Sequence, residues 1–245
     1  MTDLVLRSDQ DGVALLTLNR PDKLNALNVP LFQALEGHIA DLEKTPARAV
    51  VLRGAGRCFS AGHDLADIAT GERLPRPNYQ SHVIERLADL PLPVISAVHG
   101  HCYTGALELA LAGDLILAAE GAKFGDTHAK WALTPVWGLS QRLPRRIGTY
   151  KAREMMFTCR TYSGREAAVM NLANFCVPDD EFEAAITALT TEILANSSFS
   201  HAANKRLLTD TDGVPQKVGL AHEVYNGAGV GPDMAERIGA FSRRK

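Results

Sequence analysis

Apolar and polar positions alternate along the first part of the chain and then change to helical spacing. The alternation predicts two strands at residues 4–6 and 13–18, joined as a hairpin by a polar turn at residues 8–12. Apolar residues at helical spacing follow at residues 30–42, which predicts an amphipathic helix. An apolar run at residues 49–52 predicts a third strand that ends at Gly54. The order strand, helix, strand indicates an α/β fold.

The middle of the chain carries further strand and helix patterns on both sides of one polar stretch. Residues 70–78 hold Gly71, Pro75 and Pro77 among charged residues, which predicts an exposed loop that tolerates movement. The flanking patterns predict helices at residues 83–90 and 106–112, and buried strands at residues 93–98 and 115–118.

From Arg145 onward the pattern becomes almost wholly helical. Ser163 and Glu166 have the spacing of a capping box, which predicts a helix through Met170. Further helices are predicted at residues 179–194, 200–208 and 232–241. The chain therefore divides into a predicted core at residues 1–190 and a helical carboxyl-terminal region at residues 191–245.

The composition excludes several classes of protein. With 26 Lys and Arg against 28 Asp and Glu in 245 residues, the formal net charge is −2, which excludes a strongly basic nucleic-acid binder. The four cysteines are far apart and form no C-x-x-C pair, so neither a metal site nor a disulfide framework is predicted, and a cytoplasmic location is the default. No signal peptide is expected, and no apolar run reaches the roughly 18 residues of a membrane span.

Glycine-bearing segments do not match the common nucleotide-binding motifs. Gly54 and Gly56 follow a strand, but Phe59 stands where a dinucleotide motif requires its third glycine. Ala106 and Leu107 occupy the Lys and Ser/Thr positions of a P-loop. A nucleotide phosphate site is therefore not predicted.

Glu108 stands out because its neighbours in the predicted helix are alanine and leucine. An ionised carboxylate in such surroundings is costly unless it is paired or its pKa rises, and a raised pKa suits a general acid or base. Compensation of the helix dipole is the alternative role, although with Thr104 as the cap the capping-box position is Leu107.

Gly62, His63 and Asp64 form a second candidate site after the third predicted strand. A glycine-bearing turn there can leave backbone N–H groups pointing into a cleft, where two such donors stabilise a developing oxyanion. The alternatives are a surface-turn histidine for His63 and a helix cap for Asp64.

Taken in order along the chain, several segments resemble the enoyl-CoA hydratase/isomerase (crotonase) family. One alone is a weak signal, but the ordered set covers nearly the whole chain. The segments are NRPDKLNAL at 19–27, FSAGHDL at 59–65, AVHGHCYTGALELA at 97–110, DLILAA at 114–119, Phe124-Gly125 and SQRL at 140–143.

The resemblance implies a spiral of ββα units followed by a helical region that mediates trimerisation, as a homotrimer or a dimer of trimers. It also implies that the oxygen of an acyl-CoA thioester binds between the backbone N–H groups of His63 and Gly105. No cofactor is implied, since coenzyme A is part of the substrate. The residues that the resemblance places at the CoA site are Lys23, Leu24, Ala26, Ala61, Gly62, Asp64 and Leu65, while Arg20, Lys23 and Arg57 are candidate phosphate contacts on charge grounds alone.

The chain departs from the family pattern at one catalytic position. Hydratases of this family use two glutamates to add water to a trans-2-enoyl thioester, and Glu108 matches the first. His128 stands at the position of the second. We hypothesise that His128 delivers or accepts the proton while Glu108 orients the water. Asp126, two residues before His128 and on the same face of a predicted strand, would either orient the imidazole or take its place.

Two alternatives to a hydratase follow from that departure. If His128 only packs, Glu108 as the sole base would fit isomerisation, thioester hydrolysis or decarboxylation, all of which pass through an oxyanion. The second alternative is an acyl-CoA-binding protein without catalytic activity. Trp131 and Trp137 follow closely and are candidates for shaping the acyl pocket, although tryptophans more often lie in cores or interfaces.

Overall fold

The computed structural model describes residues 3–44 and 47–243. It begins with an antiparallel hairpin of β1 (Val5–Gln10) and β2 (Val13–Leu18), in which Val5 pairs with Leu18 and Gln10 with Val13. The predicted turn at residues 8–12 is too long, because β1 continues to Gln10. The turn consists of Asp11 and Gly12, whose φ angles of 50° and 85° suit a two-residue hairpin turn.

A six-stranded sheet forms the framework and confirms the predicted α/β class. The order of its strands is β1-β2-β3-β4-β6-β9, and every pair after the hairpin is parallel. The further strands of this sheet are β3 (Ala49–Gly54), β4 (Val94–Val98), β6 (Leu115–Ala119) and β9 (Phe175–Val177).

A second, smaller sheet is formed by short strands that lie along the chain between the strands of the large sheet and the helices that follow them. It contains β5 (His101–Tyr103), β7 (Lys123–Gly125) and β8 (Tyr162–Ser163) in that order. Isolated bridges from Leu27 to His63 and from Ser60 to Cys102 extend the same layer. The successive pairs β4–β5 and β6–β7 each place one strand in each layer before the chain enters a helix, as the predicted ββα spiral requires.

Eleven α-helices connect and cover the strands within the described residues. They are α1 (Val29–Leu42), α2 (Leu65–Thr70), α3 (Tyr79–Ala88), α4 (Gly105–Ala110), α5 (Leu139–Ile147), α6 (Thr149–Thr158), α7 (Gly164–Val169), α8 (Phe182–Leu194), α9 (Ser198–Asp210), α10 (Gln216–Asn226) and α11 (Met234–Ser242). The capping box of Ser163 and Glu166 is present at α7. Residue 190 lies within α8, so one continuous helix joins the core to the carboxyl-terminal region.

Both faces of the large sheet are covered. Leu52 and Val94 face the main core with α1, while Val51 and Ile95 face a second cluster. Phe182 of α8 closes that second cluster. Strands buried on both faces carry continuous apolar runs, which is why β3 and β4 show no alternation in the sequence.

The predicted helical pattern after Arg145 is incomplete. It omits β8, β9 and α10. The two strands are only two and three residues long, so they show no period. None of the described helices is long and apolar enough to cross a membrane.

Candidate active site

The two predicted oxyanion amides lie beside each other. Gly62 has φ +104°, and a β-carbon on it would lie 2.6 Å from the carbonyl oxygen of Tyr103 and 3.6 Å from the Gly105 nitrogen. A β-carbon on Gly105 would lie 3.3 Å from the His63 nitrogen and 2.5 Å from the Trp137 ring. The absence of side chains at both positions thus lets the two loops approach. Neither the His63 nor the Gly105 N–H donates a hydrogen bond to any other described residue.

Glu108 of α4 is almost fully buried, at 1% exposure. Its Oε1 accepts hydrogen bonds from the backbone N–H groups of Trp137 (2.8 Å) and Leu139 (3.1 Å). Burial raises the pKa of the Glu108 carboxyl, while the amide hydrogen bonds and nearby His128 lower it. The two hydrogen bonds hold Oε1 in place, and Oε2 remains available for proton transfer.

His128 faces that free oxygen. Its Nε2 lies 3.8 Å from Oε2 of Glu108, and both side chains are buried. The other ring nitrogen, Nδ1, is 2.6 Å from Oδ1 of Asp126, which also accepts the backbone N–H of His128. A carboxylate at Nδ1 favours the tautomer with the proton on Nδ1, which leaves Nε2 with a free lone pair.

The predicted strand that carries Asp126 and His128 is wrong. β7 ends at Gly125, and His128 begins a 3-10 helix at His128–Trp131. The two side chains meet through a tight turn and not because they share the face of a strand. The expected contact between them is nevertheless present.

A cavity of about 360 Å³ opens at these groups. The side chains of Glu108 and His128 and the residues with the two free amides, His63 and Gly105, all line this cavity. The predicted site residues that line it are Ala61, His63, Leu65, Gly105, Glu108 and His128. The remaining walls include Ile68, Thr104, Thr127, Trp131, Leu133, Val136 and Trp137, so both tryptophans contribute.

The two segments predicted at the CoA site run side by side. Ala61 N–H donates to the carbonyl of Leu24 at 2.9 Å, and Leu27 N–H donates to the carbonyl of Gly62 at 2.8 Å. Five of the residues predicted at the CoA site do not line the cavity. They lie in the two paired segments that border it: Lys23, Leu24, Ala26, Gly62 and Asp64.

Asp64 and Arg20 have structural partners. Oδ1 of Asp64 caps α2 by accepting the Ala66 N–H, which was the alternative role for this residue. Oδ2 pairs with the Arg20 guanidinium at 3.1 Å. Arg20 also donates to the Ala26 carbonyl, so both groups have protein partners.

The His63 side chain is tied to the predicted mobile loop. Its Nε2 lies 3.0 Å from Oε2 of Glu72, and its ring packs on Trp137 with centroids 4.6 Å apart. Glu72 also accepts from the buried Gln80 side chain (2.7 Å) and from the Val29 N–H (3.1 Å). Residues 71–78 are otherwise exposed, as expected, but this carboxylate anchors their first part.

Glu72→Ala is expected to lower the free energy of unfolding by about 1–3 kcal/mol, because it leaves a buried amide and a helix-terminal N–H without an acceptor. Urea denaturation at one protein concentration measures the change. Glu192→Ala, at an exposed position of α8, is the control and should have little effect. An unchanged midpoint in Glu72→Ala would show that the loop is not anchored there.

Sequence reasoning missed four contributors to the site: Glu72, Thr127, the backbone amide of Trp137 and the backbone amide of Leu139. Each acts through a contact to a residue far along the chain, and none carries a local motif. Within residues 3–44 and 47–243, no cluster of His, Cys, Asp and Glu could hold a metal ion.

Comparison with known proteins agrees with this architecture. Residues 8–224 match the family model for enoyl-CoA hydratase/isomerase. A short-chain-enoyl-CoA hydratase of Clostridium acetobutylicum is 30% identical over 83% of this chain and 80% of its own length. A 1,2-epoxyphenylacetyl-CoA isomerase of Escherichia coli is 29% identical over 100% of this chain and 97% of its own.

A solved structure supports the same assignment. The enoyl-CoA hydratase of Bacillus anthracis superimposes with a TM-score of 0.91 at 31% identity, covering 99% of this chain and 97% of that one. With the match of the family model over most of the sequence, this likeness extends to nearly all of the fold. The chain belongs to the enoyl-CoA hydratase/isomerase family.

Proposed function

We propose that the protein adds water to the double bond of a trans-2-enoyl-CoA, with Glu108 and His128 as the acid–base pair. The observation that carries the proposal is the 3.8 Å approach of His128 Nε2 to Glu108 Oε2 at a cavity that also contains two free backbone amides. A water oxygen about 2.8 Å from each atom fits on the cavity side of such a pair.

The two amides supply electrostatic stabilisation in this proposal. When a nucleophile attacks C3 of the enoyl group, the electrons of the double bond move to the thioester oxygen. The N–H groups of His63 and Gly105 donate to that oxygen, where charge develops. Because both donors belong to the backbone, the histidine side chain at position 63 is not required for this role.

His128 and Glu108 divide the proton transfers. Nε2 of His128 takes a proton from the water as the C3–O bond forms. Glu108, in its protonated form, gives a proton to C2, and the raised pKa of its carboxyl favours that form. The proton on His128 then returns to Glu108 across the gap between them, so that one water is consumed and both residues are restored.

Asp126 makes a histidine suitable at the position of the second glutamate. Its carboxylate holds the Nδ1 proton and stabilises the imidazolium that forms when Nε2 accepts a proton. The buried Asp126–His128 pair supports an acid–base role over simple packing.

The test is to mix the protein with crotonyl-CoA and with a longer trans-2-enoyl-CoA and to follow the absorbance of the conjugated thioester. The proposal expects rapid loss with at least one substrate. Tight binding of both esters without loss of absorbance would contradict it and favour one-base chemistry or binding alone.

We also propose that the chain forms a homotrimer or a dimer of trimers, as its resemblance to the family implies. Large apolar side chains are exposed in the carboxyl-terminal region, more than a monomer usually leaves in water. They include Leu208, Val218, Leu220, Val224, Tyr225, Val230 and Ile238.

Light scattering after size exclusion is expected to give three or six times the mass of one chain. A monomer at working concentration would contradict the proposal.

The proposed location is the cytoplasm, a reducing compartment. Free thiols support it, since none of the four cysteines forms a disulfide: Cys58, Cys102, Cys159 and Cys176.

A further inference from the structure

Thr104, the residue before Gly105, has an unusual backbone conformation. Its φ is 54° and its ψ is −111°. Glycine adopts such angles freely, whereas a β-branched residue is strained there. Since ψ of Thr104 sets the orientation of the peptide that ends in the Gly105 nitrogen, this strained angle determines where the Gly105 N–H points.

Three hydrogen bonds hold Thr104 in that conformation. Its N–H donates to the carbonyl of Gly125 at 2.9 Å, and its hydroxyl accepts the Thr127 N–H at 3.0 Å. The hydroxyl groups of Thr104 and Thr127 are themselves 2.6 Å apart. Thr104 is buried, so water competes little for these bonds.

Thr127 lies between Asp126 and His128 in the chain. The residue that holds Thr104 is thus part of the turn that brings the imidazole to Glu108. The hydroxyl pair directly links the loop that presents the Gly105 amide to the segment that presents His128. Strain of this kind persists only where neighbouring contacts determine the conformation.

We propose that the hydroxyl pair of Thr104 and Thr127 positions the Gly105 N–H for the thioester oxygen and fixes its place relative to His128. The inference rests on the proposed oxyanion site. Both threonines are positioning residues, since they act through the Gly105 amide.

Thr127→Val removes the hydroxyl at nearly constant volume and keeps the Thr127 N–H. We expect kcat for crotonyl-CoA hydration to fall about 10- to 100-fold with little change in KM, since a misdirected oxyanion donor raises only the barrier. Thr127→Ser keeps a hydroxyl and should stay within about threefold of wild type.

The strain itself provides a sharper test. Glycine at position 104 needs no tether, so Thr104→Gly should stay within about threefold of wild type. In that background, adding Thr127→Val should cost less than about threefold. If Thr127→Val is as harmful with Thr104→Gly as without it, Thr127 acts in another way and the proposal is wrong.

A readout without turnover separates this proposal from the hydratase assignment. Acetoacetyl-CoA has an enolisable thioester, and an oxyanion site raises the fraction of enolate in the bound ligand, which is measured by ultraviolet absorbance. We expect a high fraction in wild type, Thr127→Ser and both Thr104→Gly variants, and a lower one in Thr127→Val. Equal fractions in Thr127→Val and wild type would overturn the positioning role.

The remaining outcomes are also distinct. If wild type raises the enolate fraction but leaves crotonyl-CoA unchanged, hydration is wrong while the variants still decide the role of the threonine pair. If wild type does not raise the enolate fraction, the oxyanion site is wrong and the role of the threonine pair is wrong with it.

Discussion

Glu108→Gln is expected to lower kcat for enoyl-CoA hydration by about 10²- to 10⁴-fold, the usual contribution of a general acid–base group. The side-chain carbonyl of the substituted residue can still accept the N–H groups of Trp137 and Leu139, so the local fold should persist. An amide cannot deliver a proton to C2, and this difference alone should account for the loss. Steady-state loss of the conjugated thioester absorbance measures it.

The matched control for this prediction is Glu85→Gln, at a partly exposed carboxylate on α3. It should leave kcat and KM unchanged. Hydration by Glu108→Gln within about threefold of wild type would remove Glu108 from the proton transfers.

The same substitution also has an expected effect on stability. Since burial raises the pKa of Glu108, the folded protein binds more protons than the unfolded chain between the ordinary and the raised pKa. The contribution of Glu108 to the free energy of unfolding is therefore present at acidic pH and is lost as the pH rises through that window. Glu108→Gln does not titrate, so its stability relative to wild type should increase from acidic to alkaline pH in urea denaturation.

His128→Ala is expected to reduce kcat by about 10²- to 10⁴-fold, because the imidazole is the only described cavity group placed to exchange protons with Glu108 Oε2. KM should change much less, since the two backbone amides and the two paired segments predicted at the CoA site remain. Activity within about a factor of two of wild type would remove His128 from the mechanism.

Two further variants make the His128 result specific. Asp126→Asn keeps a side chain of the same shape but removes the charge opposite the imidazolium, and it should lower kcat with little change in binding of the ester. His82→Ala, at an exposed histidine of α3, should leave both parameters unchanged. Loss of activity in His82→Ala as well would indicate a general effect on folding.

Local patterns predicted much of the fold. The helix at α1 and the capping box at α7 lie where spacing and cap chemistry placed them. Apolar runs alone predict the strands β3, β4 and β6. By contrast, α10 contains Gly219 and buries none of its residues, so no apolar stripe marked it.

The candidate site was only partly predictable from the residues themselves. Glu108 could be found because a carboxylate among alanines and leucines is conspicuous, and the family resemblance singled out His128. The contact between them depends on how β7 ends and how α4 begins, which no local pattern encodes. Glu72 and Thr127 act through residues 9 and 23 positions away, so only the tertiary structure identifies them.

Addition of water across the enoyl double bond at Glu108 and His128 distinguishes the proposed hydratase from one-base chemistry and from binding alone. Its most direct test is the reaction of crotonyl-CoA in ¹⁸O-labelled water, followed by mass spectrometry of the CoA products. We expect one ¹⁸O in a 3-hydroxyacyl group with the thioester intact, and a much slower appearance of that product with Glu108→Gln or His128→Ala. An unlabelled isomer, or free CoA with the label in a carboxylic acid, would contradict it.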